Sequence, residues 1–205
     1  MIFVALDGVA CTTKSSILAR LKHDSKYCVH LIDFKMLSDQ LCLGVEPAID
    51  SMIYLMFRDH YNNVDREKRN IFDREPASAM LYRLIFANCD DTTVYRYCKM
   101  VKSMGVYKNW RSLILVPRHG QEEIVVQMMK KRNNGIDWMN VEYVKRQKRV
   151  FTIWAEVMDY NIVYIDYEKS LDRQQDMVVK MVEDIFCEQQ QPLWRRIINK
   201  LYKIK

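Results

Sequence analysis

Short apolar runs alternate with longer amphipathic segments along most of this chain. Five runs have the length of buried strands, at residues 2–6, 28–32, 70–72, 113–116 and 162–165. Apolar residues recur at helical spacing from residue 14 onward, behind Pro76, and in residues 46–61, 91–104, 121–132, 141–158 and 170–187. Strands that alternate with helices predict an α/β fold with a parallel sheet and crossover helices.

The turn between the first strand and the first helix carries the clearest chemical pattern. Asp7-Gly8 opens the turn, and Lys14-Ser15-Ser16 begins the helix. Gly8, Lys14 and Ser15 have the spacing of the phosphate-binding loop G-x-x-x-x-G-K-[ST]. In such a loop, backbone N–H groups surround phosphate oxygens, the lysine contacts the outer phosphates and the hydroxyl binds Mg²⁺.

One position of this loop departs from the pattern, because Thr13 stands where the second glycine belongs. A β-branched residue is a poor choice where the backbone needs a positive φ. If the loop keeps its shape, Thr13 adds roughly 1–3 kcal/mol of backbone strain. Two interpretations follow: a loop that still binds ATP, and a strand–helix turn that has lost its ligand.

Three aspartates, Asp7, Asp33 and Asp73, come directly after predicted strands. Ligands of parallel α/β sheets bind at the carboxyl ends of the strands, so these positions are candidates for chemistry. The alternative is that each aspartate caps a helix or forms a turn.

Composition narrows the class of protein. The net charge of +6 permits anionic ligands and gives no reason to expect nucleic acid as a partner. A hydrophobic content of 49% suits one sizeable domain, which we place at residues 1–188. No apolar run approaches the roughly 18 residues of a membrane span. Residues 2–6 are too few for a signal peptide, so we expect synthesis inside the cell.

Six cysteines are scattered along the chain, at Cys11, Cys28, Cys42, Cys89, Cys98 and Cys187. They form no C-x-x-C or Cys/His cluster, so the sequence predicts no zinc site. Two states remain open: reduced thiols inside the cell, and disulfides in an extracellular or assembled protein.

The last segment, residues 189–205, is a basic amphipathic arm that follows a polar break ending at Pro192. Its apolar side chains share one helical face and are Leu193, Trp194, Ile197, Ile198, Leu201 and Tyr202. Three placements are open: the arm folds back on its own domain, docks on a neighbouring copy of the chain, or lies on an anionic membrane surface.

The order of these pieces resembles the thymidylate kinase and deoxynucleoside kinase superfamily of P-loop kinases, from Ile2 to about Cys187. Beside the loop, the resemblance rests on Asp73-Arg74 after the third strand, the basic run at 128–132, the helix at 143–151 and the strand at 161–166. It implies a three-layer fold with about five parallel strands in a predominantly helical shell, often as a homodimer.

The resemblance also implies site residues. ATP phosphates would be held by Gly8, Lys14, Ser15, Ser16 and Lys131. Mg²⁺ would be held by Ser15 and Asp73. Catalytic roles would fall to Asp33, near the family's base, and to Arg74 and Arg132, which would stabilise transition-state charge. ATP and Mg²⁺ are thus the expected cofactors of an active protein, and a degenerate one would need none.

The chain departs from the family at three separate places. Thr13 replaces the loop glycine, Asp33-Phe34-Lys35 replaces the family's Glu-Pro, and the lid at residues 133–139 has no arginine. Because phosphoryl transfer needs correct positioning at each of them, the departures indicate lost catalysis.

Three hypotheses follow. The first is a degenerate kinase-fold protein that assembles with copies of itself as a structural, lattice- or particle-forming protein, for example of a virus. The alternative is an active thymidylate or deoxynucleoside kinase that acts on thymidine or dTMP. The third is a peripheral membrane or regulatory protein that uses the basic arm.

Overall fold

A five-stranded parallel sheet forms the middle layer of the computed structural model, which describes residues 1–31, 64–105, 107–133, 135 and 137–190. The strands are β1 (Phe3–Gly8), β2 (Tyr27–His30), β3 (Arg69–Asp73), β4 (Trp110–Pro117) and β5 (Asn161–Ile165). Their order across the sheet is β2-β3-β1-β4-β5, so β1 is central. The predicted α/β fold with a parallel sheet is confirmed.

Six helices of the described chain cover the two faces of this sheet. They are α1 (Lys14–Lys22), α2 (Ser78–Phe86), α3 (Asp91–Ser103), α4 (Glu122–Arg132), α5 (Val141–Met158) and α6 (Leu171–Gln190). No helix in these residues is long and apolar enough to cross a membrane.

Two hydrophobic cores hold the three layers together, one on each face of the sheet. On one face, Phe151 and Trp154 of α5 are fully buried against Ala5 and Phe72. On the other face, α1 and α6 bury apolar side chains such as Ile17 against β1. Burial of each large apolar side chain stabilises the fold by about 1.5–3 kcal/mol.

Several boundaries differ from the sequence predictions. Strand β4 starts at Trp110 rather than 113, because its first residues pair with Phe3, Val4 and Ala5 of β1. Helix α2 starts at Ser78, so Pro76 lies in the preceding turn, where the Ser78 N–H donates to the carbonyl of Glu75.

Some predictions lie outside the described residues. They are the helix at 46–61, Asp33 and the apolar face of the arm at 193–202. Helix α6 continues through Gln190, past the boundary expected at residue 188. The docking of the arm stays a prediction.

Gly8 ends β1 directly beside Leu115 of β4. Its φ is +110°, and a Cβ at this position would lie 2.1 Å from the carbonyl oxygen of Leu115. Backbone must therefore move to admit any side chain here. Only glycine fits both the conformation and the space.

We expect Gly8→Ala to lower the free energy of unfolding by about 3 kcal/mol or more, from overpacking and an unfavourable φ together. Gly120→Ala is the matched control, because Gly120 has a φ of +85° with open space around it. It should lose only about 1 kcal/mol. Urea denaturation measures both losses, and equal losses would contradict the proposed clash.

Candidate phosphate-binding site

The loop between β1 and α1 has two residues in the left-handed backbone conformation. Thr13 has a φ of +62° and ψ of +7°, the left-handed conformation that glycine adopts most easily. Cys11, with a φ of +57°, is left-handed as well. Thr13 therefore carries roughly 1–3 kcal/mol of strain. Both interpretations of the loop, with and without a bound ligand, are compatible with this conformation.

Three distant parts of the chain hold this loop in place. The Val9 N–H donates to the Leu115 carbonyl of β4 over 2.9 Å. The Ala10 N–H donates to Gln147 Oε1 of α5 over 2.8 Å. The Tyr167 hydroxyl, just after β5, donates to the Cys11 carbonyl over 3.0 Å. Tertiary contacts rather than local preference therefore fix the strained loop.

The backbone N–H groups of residues 11–16 donate no hydrogen bond to the described chain. The first helical bond of α1 runs from the Ile17 N–H to the Thr13 carbonyl, 3.1 Å away. These free donors surround the positive end of the helix dipole. Such an array suits an anion with several oxygens.

The Lys14 ammonium folds back onto the loop. It lies 2.5 Å from the Val9 carbonyl oxygen and 3.1 Å from Thr12 Oγ1, and the residue is 7% exposed. Burial and then the nearby Arg74 lower the pKa of Lys14 to about 7, against the opposing charge of Asp73. A lysine in this state can gain a proton when an anion arrives.

Both oxygens of the Asp7 carboxylate accept hydrogen bonds from other groups of the chain. It is fully buried, and one oxygen accepts from the Gly8 N–H at 2.8 Å and from Arg74 at 2.9 Å. The other accepts from the Glu75 N–H at 3.3 Å and from the Ser78 hydroxyl. Asp7 is therefore an organiser of the strand ends.

Asp73 is the carboxylate that remains open at this site. It ends β3 beside Leu6 of β1, is half-buried, and makes no hydrogen bond or ion pair with the described chain. Ser15 and Ser16 are exposed in the first turn of α1.

No group of three or more His, Cys, Asp or Glu side chains in the described ranges is arranged to hold a metal ion. A Mg²⁺ at this mouth would rest on Asp73, the Ser15 hydroxyl, phosphate oxygens and water, which is how Mg²⁺ binds in many phosphate sites.

Of the two basic residues predicted to act from the lid, Arg132 lies near the phosphate-binding loop. Arg132, the last residue of α4, forms a 2.5 Å ion pair with Asp137, which also accepts from the Tyr143 hydroxyl at 3.2 Å. Burial raises the pKa of the Cys11 thiol, and the Arg132 charge opposes that rise, so Arg132 lies near the loop. Lys131 is exposed and makes no ion pair within the described ranges.

Gln147 is a site residue that the sequence analysis missed. It is fully buried on the inner face of α5, and its Nε2 has no hydrogen-bond partner in the described chain. The signal was present, because helical spacing places this polar residue among Tyr143, Val144, Val150 and Phe151.

Glu75, next to Arg74, was missed as well. Its buried carboxyl accepts from Ser112 Oγ at 3.0 Å and from the Trp154 indole N–H. Burial, and then the nearby Asp7, raises the pKa of Glu75 to about 8. Glu75 is therefore mostly protonated at neutral pH, beneath the site.

The described fold matches solved deoxynucleoside kinases. Deoxyadenosine kinase from M. mycoides with bound dATP aligns with a TM-score of 0.58 and 14% identity, over 89% of this chain and all of that chain. The same enzyme with bound dCTP aligns with a TM-score of 0.57 and 17% identity, over the same shares. This chain has the deoxynucleoside kinase fold.

A viral protein aligns with most of this chain. An uncharacterised 33.9 kDa protein in the PE 3′ region of Lymantria dispar multicapsid nuclear polyhedrosis virus is 32% identical over 186 residues, which is 89% of this chain. The chain spans 63% of that relative. No protein-family profile matches the sequence.

The free energy of unfolding of the domain should depend on pH through the carboxyl group of Glu75. The unfolded chain releases this proton near pH 4.5, whereas the native state holds it to about pH 8. The resulting stabilisation is complete below pH 4.5 and is lost as the pH rises through about 8.

Glu75→Gln has no proton to release, so we expect its unfolding free energy to fall less than that of the wild type between pH 4.5 and 8. Urea denaturation across this range measures the difference. Exposed Glu123→Gln controls for the loss of one carboxylate. Parallel profiles for wild type and Glu75→Gln would contradict the assignment.

Proposed function

We propose that this chain binds the triphosphate of a nucleotide on the loop at residues 8–16 and no longer transfers the phosphoryl group. The observation that carries the proposal is the free array of N–H groups at residues 11–16, held open by a left-handed Thr13. Strained backbone conformations cluster at ligand sites, and free N–H donors at the start of a helix suit an anion.

Magnesium ATP suits the residues around this array. The Lys14 ammonium would leave the loop carbonyls and donate to phosphate oxygens. Ser15 and Asp73 would hold Mg²⁺. The M. mycoides enzyme of the same fold binds dATP, which supports a nucleoside triphosphate as the class of ligand.

Loss of transfer is supported by the state of the arginines. Transferring kinases direct positive charge at the phosphoryl group in the transition state. Here Arg74 lies 2.9 Å from Asp7, and Arg132 lies 2.5 Å from Asp137. Each arginine is already neutralised by a carboxylate of its own chain, and the lid at 133–139 contributes no other.

An active thymidylate or deoxynucleoside kinase is the second candidate. The open Asp73 carboxylate favours it, because a transferring site needs a ligand for Mg²⁺ next to the phosphates. In this case thymidine, dTMP or another deoxynucleoside would accept the γ-phosphate of ATP.

The pKa of Lys14 gives a sharp test of nucleotide binding. At pH 8 most free Lys14 is neutral, and phosphate contact would restore its charge, so binding should take up close to one proton. At pH 6 Lys14 is already charged, and uptake should be near zero. Calorimetry of MgATP binding in buffers of different ionisation enthalpy measures this uptake.

Lys14→Ala should weaken MgATP binding about tenfold or more and abolish the proton uptake. Lys22→Ala, an exposed lysine at the other end of α1, is the matched control and should change neither. Absence of binding by the wild type would contradict the proposal, and binding restored in Thr13→Gly would then identify Thr13 as the cause of the loss.

The biological role that we propose for a degenerate kinase fold is self-assembly through the arm at residues 189–205. Its support is the sequence pattern, an apolar helical face with basic flanks and no acid after Glu188. A viral relative is compatible with a structural or particle-forming role.

Deletion of residues 192–205 should then lower the particle mass measured by light scattering, because the apolar face of the arm is lost. MgATP binding by the shortened chain checks that the domain stays folded. Unchanged particle size would contradict assembly through the arm. Binding of the intact chain to anionic vesicles at low salt would favour the membrane-surface alternative instead.

A further inference from the structure

A basic cleft lies at the edge of the sheet opposite the phosphate-binding loop. It has a volume of about 370 Å³, and the charged side chains that line it are Lys68, Arg69, Lys108 and Arg111. The uncharged residues of its wall are Met1, Ile2, Asn109 and Phe186, and no carboxylate of the described residues lines it. We propose that this cleft binds a short run of linked phosphate groups, independently of the loop.

The strand order brings these charges together. Arg69 begins β3 and Arg111 is the second residue of β4, while β1 lies between these two strands. Each strand is preceded by a lysine, Lys68 or Lys108, in its connection. Strands separated by one neighbour are about 10 Å apart, a distance that several linked phosphates can bridge.

The two arginines are held ready for a ligand. The Arg69 guanidinium stacks 5.9 Å from the Tyr27 ring and 5.5 Å from the Phe186 ring. Arg111 donates to the carbonyls of Lys108 at 3.1 Å and Trp110 at 2.6 Å. Neither forms an ion pair within the described ranges, and both keep N–H donors for phosphate, which arginine binds through its planar fork.

The acids around the cleft balance only part of its charge. Asp65 forms an ion pair with Lys68 at 3.7 Å. Asp24 and Glu183 both bind Lys26 instead, at 2.8 and 2.9 Å. Like charges that line one concave surface repel each other, and an anion relieves that repulsion while it gains charge-assisted hydrogen bonds.

The volume of the cleft lies near the lower end of the range of volumes of small-molecule binding sites. This volume favours a ligand of a few phosphates. Linked phosphates occur in free polyphosphate and in a nucleic-acid backbone. Both present the same chemistry to the four cations, so the experiment separates the two sources.

Tripolyphosphate is the first probe, titrated by calorimetry into Lys14→Ala so that binding at the loop is weakened. We expect saturable binding that Lys108→Ala/Arg111→Ala weakens about tenfold or more at about 50 mM salt. Arg173→Ala/Lys180→Ala removes the same charge from exposed positions of α6 and should change affinity by less than about twofold. Exposed Lys108→Glu repeats the test without disturbing β4.

Equal losses in the cleft and control variants would overturn the proposal, because they would show attraction to the net charge alone. Absence of saturable binding would overturn it as well. A short single-stranded oligothymidylate supplies the second arm. Binding that depends on Lys108 and Arg111 would identify backbone phosphates as a source, and binding of tripolyphosphate alone would identify free polyphosphate.

Discussion

The buried Asp7 carboxylate is the interaction on which the loop end of the sheet depends. It joins the end of β1 to the end of β3 and to the start of α2, through Arg74, the Glu75 N–H and Ser78. Without it, buried donors would lose their acceptor, at a cost of about 1–3 kcal/mol each. The same contact holds the Arg74 guanidinium 2.9 Å from Asp7.

The strands and helices could be predicted because their information is local. Five apolar runs and the helical spacing between them led to the sheet and to most helix boundaries. The site could be predicted only in outline. The conformation of Thr13 depends on contacts from Leu115, Gln147 and Tyr167, which are distant in sequence. Glu75 and its partner Trp154 are 79 residues apart, so no local pattern could pair them.

The two edges of the sheet differ in how their charges are balanced. At the carboxyl edge, Arg74 and Arg132 are neutralised by Asp7 and Asp137, while the backbone donors of the loop stay free. At the amino edge, Lys108 and Arg111 have no ion-pair partner in the described chain. We therefore propose phosphate binding at both edges, and phosphoryl transfer at neither.

The most direct test of this account is a transfer assay with labelled MgATP, offered thymidine, dTMP and the other deoxynucleosides in turn. Nucleotide binding is checked in the same samples. At ATP concentrations that saturate the protein, we expect bound ATP and no labelled product from any acceptor. Labelled product at rates of about 1–100 s⁻¹, abolished by Lys14→Ala, would contradict the loss of transfer and identify an active kinase.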